Sequence, residues 1–131
     1  MFDHISILNC AQIYALLAAV VVVFQLALAA GAPWGSVSMG GKYPGVYPTR
    51  MRFAAIVMAA LFGALTSIVC IRAGWFALGL LEWSRSAVWV VVALNALGLL
   101  MNLITPSKWE RIIWAPVCLL LLLCSTVIAM H

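Results

Sequence analysis

The chain reads as an all-α, integral membrane four-helix bundle, and three observations predict it. It contains four apolar stretches, each near the roughly 20 residues that carry a helix across about 30 Å of hydrocarbon. Of its 131 residues 67% are hydrophobic and 8% charged, against about 25% charged in a soluble domain, so a water-soluble fold could not cover its surface. The charges cluster in the connections and at the ends of the spans. The expected spans are residues 5–30, 49–71, 86–104 and 108–130, forming a single transmembrane domain over 1–131.

Span 1 is rich in Ala, Val and Leu, with Asn9 and Gln12 near its start and Gln25 near its end. A lone span in hydrocarbon must pair its backbone groups internally and is therefore a helix. Ala11, Ala15 and Ala19 recur every four residues, a spacing that lets a neighbouring backbone approach. Ala27-Leu28-Ala29 looks like a signal cleavage site. The start Met1-Phe2-Asp3-His4 has no basic segment, however, and the apolar run exceeds a signal core of about 7–15 residues. Span 1 is expected to be retained. Leu8-Asn9-Cys10 lacks the preceding apolar region that a lipoprotein site requires.

The first loop, Gly31 to Pro48, mixes glycines with Pro33, Pro44 and Pro48, which forbid a continuous helix. Trp34, Tyr43 and Tyr47 suit the headgroup interface. Such rigid and bulky residues are unlike a flexible linker, and predict a loop folded against the membrane surface. Span 2 carries Arg50 and Arg52 at its start and Arg72 at its end. Its Ala55, Ala59, Gly63 and Ser67 stripe is the strongest packing signal in the chain and makes it the candidate for the most buried helix.

The connection from Arg72 to Arg85 is short and amphipathic, suited to the interface. In span 3, Asn95 and Asn102 stand seven residues apart on one helix face, with Gly98 nearly between them. Ser107-Lys108-Trp109-Glu110 matches a capping box opening span 4, and Pro116 should kink that span or free a carbonyl. Pro48-Thr49-Arg50-Met51 and Pro106-Ser107-Lys108-Trp109 echo one another. Two repeated helical hairpins would give this pattern, and local convergence on a common helix start accounts for it equally.

Loops 1 and 3 share one side of the membrane, with Lys42, Arg50, Arg52, Lys108 and Arg111, against Arg72 and Arg85 on the other. Basic residues concentrate on the cytoplasmic side, which places both loops inside and both termini outside. The net charge of +4 is spread over span ends, so nucleic acid is not an expected partner.

Two candidate sites follow. The loop face offers Trp34, Lys42, Tyr43, Arg50, Arg52, Lys108 and Arg111, with loop 1 glycines able to form an anion-binding concavity. Its ligand would be a lipid phosphate or another anion, and the alternative is charge that serves topology alone. Within the spans, Gln12, Asn95 and Asn102 either line a solute path or bond between helices. No ionisable group lies near mid-span, which argues against proton-coupled exchange. The only carboxylate on the loop side is Glu110, which the capping box explains. No catalytic residue, metal site or cofactor is expected. Cys10, Cys70, Cys118 and Cys124 form no close pair and read as packing residues.

The segments Gly31-Ala32-Pro33-Trp34-Gly35, Gly40-Gly41-Lys42 and Asn102 to Lys108 with Glu110-Arg111 resemble those of small bacterial four-span inner-membrane proteins without an assigned activity. The resemblance covers most of the chain, implies a bacterial inner-membrane setting and directs attention to loops 1 and 3. The expectation is a non-enzymatic membrane protein. Its structured cytoplasmic loops bind a lipid headgroup, a small anion or a partner protein, as an accessory subunit or a homo-oligomer. The alternative is a small-solute transporter or channel with a polar path along spans 1 and 3.

Overall fold

A computed structural model describes residues 3–131, so Met1 and Phe2 of the amino-terminal tail lie outside the described residues. Helix α1 covers His4–Ala30, α2 Thr49–Arg72 and α3 Leu81–Ile104. A π-helical turn, Glu110–Trp114, leads into α4, Ala115–Ala129. All four are long and apolar enough to cross a membrane. Their outward faces carry Leu16, Val23, Phe53, Val57 and Ile104, all exposed. Such faces are stable only in hydrocarbon, and the chain is a multi-pass membrane bundle.

Local chemistry sets the ends of each helix. The Asp3 carboxylate accepts the Ser6 N–H at 2.7 Å and caps α1, and that bond holds its pKa below the usual value. Gly31, at φ 106°, closes the same helix. Its N–H donates to Leu28 and that of Ala32 donates to Ala27, satisfying carbonyls the helix leaves open. Helix α3 begins at Leu81, five residues before the predicted 86. Ser84, read as part of the connection, instead donates to the Leu81 carbonyl at 2.6 Å, and Arg85 pairs with Glu82 at 3.3 Å. This first turn is helical but polar, so the apolar run begins later than the helix. Thr105 is extended, as the residue before Pro106 must be.

Pro116 acts on α4 by widening it. It has no N–H to give the preceding turn, and the Ala115 N–H bonds the Glu110 carbonyl five residues back. The turn is a π-bulge, one recognised cause of helix irregularity.

The helices run up and down in a ring. α1 packs most closely on α2 and α3 on α4, and α1–α4 and α2–α3 contacts close the bundle. Ile7, Ala11, Tyr14, Ala18, Leu65, Val69, Val88, Val91, Leu121, Cys124 and Ile128 form the core. All but Ala18, at the middle of α1, belong to the half of the bundle nearest the termini and the second connection. A smaller cluster of Leu28, Tyr47 and Ala55 sits beneath loop 1. Trp75, Phe76 and Trp83 stand exposed at one end of the bundle and Trp34 and Trp109 at the other, an aromatic girdle at each interface.

Helix α2 has the largest buried share of the four, but its small-residue stripe is only half used. Ala55 and Ala59 are buried while Gly63 and Ser67 are exposed. A strict four-residue repeat drifts about 40° around the helix per step, so it leaves a straight contact line within two or three steps. The same drift leaves Ala11 buried and Ala19 exposed in α1.

Candidate functional site

The half of the bundle nearest loops 1 and 3 is hollow. A cavity of about 780 Å³ lies between the helices there, with walls drawn from α1 (Phe24), α2 (Met58, Phe62) and α3 (Leu97, Met101). Lys42, Tyr43, Ser38, Thr105 and Glu110 border its loop end, and Asn102 and Asn95 line it further down. Leu61, Leu97, Met101 and Ile104 belong to its wall and are themselves exposed, so it opens sideways between α2 and α3. Asn95 is nine residues from the end of α3, about 13 Å along the helix from the loop.

Loop 1 roofs this cavity and is fastened to loop 3. Glu110 is 6% exposed. Its Oε1 accepts the Gly40 N–H at 3.0 Å and its Oε2 accepts the Thr105 hydroxyl. The Ser107 hydroxyl donates to the Ser36 carbonyl at 2.8 Å, and Trp114 Nε1 donates to the Val37 carbonyl at 2.9 Å. Within loop 1, the Gly35 N–H donates to the Gly45 carbonyl at 2.9 Å. Phe24 of α1 lies 6.3 Å from the Trp34 ring of loop 1 and 4.7 Å from that of Trp114 in the π-helical turn. Tyr47 is 3% exposed, and burial pushes its phenol pKa up. Its hydroxyl finds no partner within hydrogen-bonding geometry.

The capping box is therefore half formed. The Glu110 N–H reaches Ser107 Oγ at 3.4 Å, but the carboxylate does not return to the Ser107 N–H, which donates instead to Thr105 Oγ1 at 3.1 Å. Thr105, two residues before the box, takes the returning role and leaves Glu110 to bind loop 1. The sequence signal was present: Glu110 is the one acid at the basic end of the bundle. A local motif accounted for it before any long-range partner was visible.

The loop-face residues separate into three groups. Lys42 and Tyr43 border the cavity, with the Lys42 ammonium 5.9 Å from the Tyr43 ring centre and Arg50 donating to the Tyr43 hydroxyl at 3.5 Å. Arg52 lies against Gly31, where an added Cβ would stand 2.2 Å from Arg52 Nη2. Its cation thus sits at the carboxyl end of α1, where the helix dipole favours positive charge. Trp34, Lys108 and Arg111 are exposed and outside the cavity wall, and Arg111 donates to the Thr105 carbonyl.

The intramembrane set also divides. Asn95, 3% exposed, donates from Nδ2 to the Tyr14 hydroxyl at 2.9 Å and to Ser125 Oγ at 3.5 Å, joining α1, α3 and α4. Asn102 donates to the Gly98 carbonyl at 2.8 Å and reaches Cys118 Sγ at 3.4 Å. Gln12 does not join them: it is exposed on the outer face of α1, two residues and most of a half-turn from Tyr14. Sequence reasoning placed it inside because polar span residues usually face inward.

No protein-family model, curated protein or solved structure matches this chain.

Proposed function

We propose that this is a non-enzymatic membrane protein that binds one phosphate-bearing amphiphile, its chain in the hollow half of the bundle and its headgroup beside Lys42 and Tyr43. The observation that carries this reading is the cavity itself. Its volume of about 780 Å³ falls in the range of roughly 300–1,000 Å³ typical of small-molecule sites. Its wall is apolar, polar groups gather at the loop end, and its side opening faces hydrocarbon. Met51, Met58 and Met101 contribute to the wall, and unbranched thioether chains adapt to a flexible ligand. Lys42 supplies a cation at headgroup level, where phosphate oxygens lie.

The setting proposed is a bacterial inner membrane, with loops 1 and 3 in the cytoplasm and both termini outside, on the strength of the basic residues around those loops. The protein would act as an accessory subunit or a homo-oligomer that holds lipid. A solute path past Gln12, Asn95 and Asn102 has less support, because Gln12 faces outward and Asn95 is engaged by Tyr14 and Ser125.

Native mass spectrometry of detergent-purified protein tests the binding. One retained phospholipid per chain is expected. Leu94→Trp and Gly98→Leu fill the cavity from α3 and should reduce retention several-fold. Equal retention by both filled variants and the parent would remove the proposal.

A further inference from the structure

Resting on that amphiphile reading, we infer that the mouth of the cavity selects a zwitterionic headgroup, a phosphate followed by a primary ammonium, over a purely anionic one. The mouth holds two opposite charges. Lys42 is exposed on the rim, and Glu110 is buried and lines the same space. The Gly40 N–H that binds Glu110 at 3.0 Å is two residues from Lys42, so the two Cα atoms of that stretch stand within about 7 Å.

A carboxylate has about four acceptor positions on its two oxygens. Gly40 and Thr105 occupy one on each oxygen, leaving capacity for a donor that comes from the cavity. The carboxylate is held from two sides and cannot swing away from an approaching ligand. A phosphate drawn to Lys42 meets that negative charge in surroundings of low dielectric, where like charges repel strongly. A headgroup carrying its own ammonium removes the conflict: the phosphate faces Lys42 and the ammonium donates to Glu110 as a charge-assisted hydrogen bond. A quaternary ammonium has no N–H to donate. It would need an aromatic face, and the Tyr43 ring already lies beside Lys42. The expected order is phosphatidylethanolamine first, with phosphatidylcholine and phosphatidylglycerol behind.

Competition decides it. The full chain is reconstituted in nanodiscs with equal mole fractions of the three lipids, extracted, and the retained lipid identified by native mass spectrometry. The expected result is a several-fold excess of phosphatidylethanolamine in the parent protein. Glu110→Gln should abolish the excess over phosphatidylglycerol. Lys42→Met, on the rim and outside the loop clamp, should weaken retention of all three and leave their order unchanged. Equal retention of the three lipids by the parent, or preference for phosphatidylglycerol, overturns the inference and leaves amphiphile binding standing. An ethanolamine preference that persists in Glu110→Gln overturns the role given to that residue. Retention of no phospholipid, or a second copy of the chain seated between α2 and α3 in its place, overturns both.

Discussion

Glu110 sits at the junction of two explanations, one local and one tertiary, and removing it separates them. A carboxylate that only capped a helix would be replaceable at modest cost. One that binds the Gly40 N–H across the loops leaves a buried donor unpaired when lost, at about 1–3 kcal/mol per group. Glu110→Ala should therefore lower the midpoint of thermal unfolding in detergent clearly more than Lys108→Ala, whose side chain is exposed. Near-equal midpoints for the two would contradict the tie between Glu110 and loop 1. Asn95 supplies the second test at this scale. Its bonds to Tyr14 and Ser125 are of the interhelical kind, worth about 0.6–2 kcal/mol in bilayers. Asn95→Leu should cost that much in a denaturant titration in micelles without emptying the cavity of lipid, because its hydrogen bonds run to neighbouring helices.

Among the elements, loop 1 is the one whose shape follows from particular residues. Gly35 is buried, and a Cβ there would lie 1.8 Å from the Tyr43 carbonyl oxygen and 2.7 Å from that of Gly45. Backbone atoms cannot step aside as a flexible side chain would. Gly35→Ala is expected to destabilise by about 1–3 kcal/mol or more and to release the roof of the cavity. Hydrogen exchange should then rise across residues 35–45 while α1 and α2 stay protected. Gly63→Ala, where an added Cβ meets nothing, should be silent or slightly stabilising through helix propensity. The sequence ranked these two glycines the other way round, because a four-residue stripe advertises packing and a loop glycine advertises only freedom. Glycine content marks where a chain can turn, but the crowding at Gly35 comes from residues eight and ten positions on.

For the molecule as a whole, the up-and-down ring places loops 1 and 3 together at one end, as the bonds between Gly40 and Glu110 and between Ser107 and Ser36 require. Cysteines introduced at Lys42 and Lys108 should react with an impermeant maleimide from the same side of a sealed vesicle, and one at Glu82 from the other. Labelling of 42 and 108 from opposite sides would contradict the bundle. In spheroplasts, protection of 42 and reaction at 82 would place loop 1 in the cytoplasm. The uneven filling of the bundle also belongs to this scale. The main apolar core lies toward the termini, and the half under loop 1 is hollow and edged with polar groups. The least stable part of the molecule is then expected to be the part that meets ligand.

The amino-acid sequence by itself determined the solvent, the number of crossings, the helix bounds to within about five residues and the placement of loops 1 and 3 at the same end. These follow from backbone hydrogen bonding in hydrocarbon and from where charge is tolerated, which are local properties of a chain. Only the tertiary structure decided which polar side chains meet. Asn95 turns in to Tyr14 while Gln12 faces out, Glu110 reaches Gly40 instead of its own helix end, and Lys42 stands at a cavity that Lys108 does not border. Those outcomes depend on the rotation of each helix about its axis and on contacts between residues some 70 or more positions apart. A one-dimensional pattern repeating every four residues cannot carry them, because the helix turns every 3.6 or so.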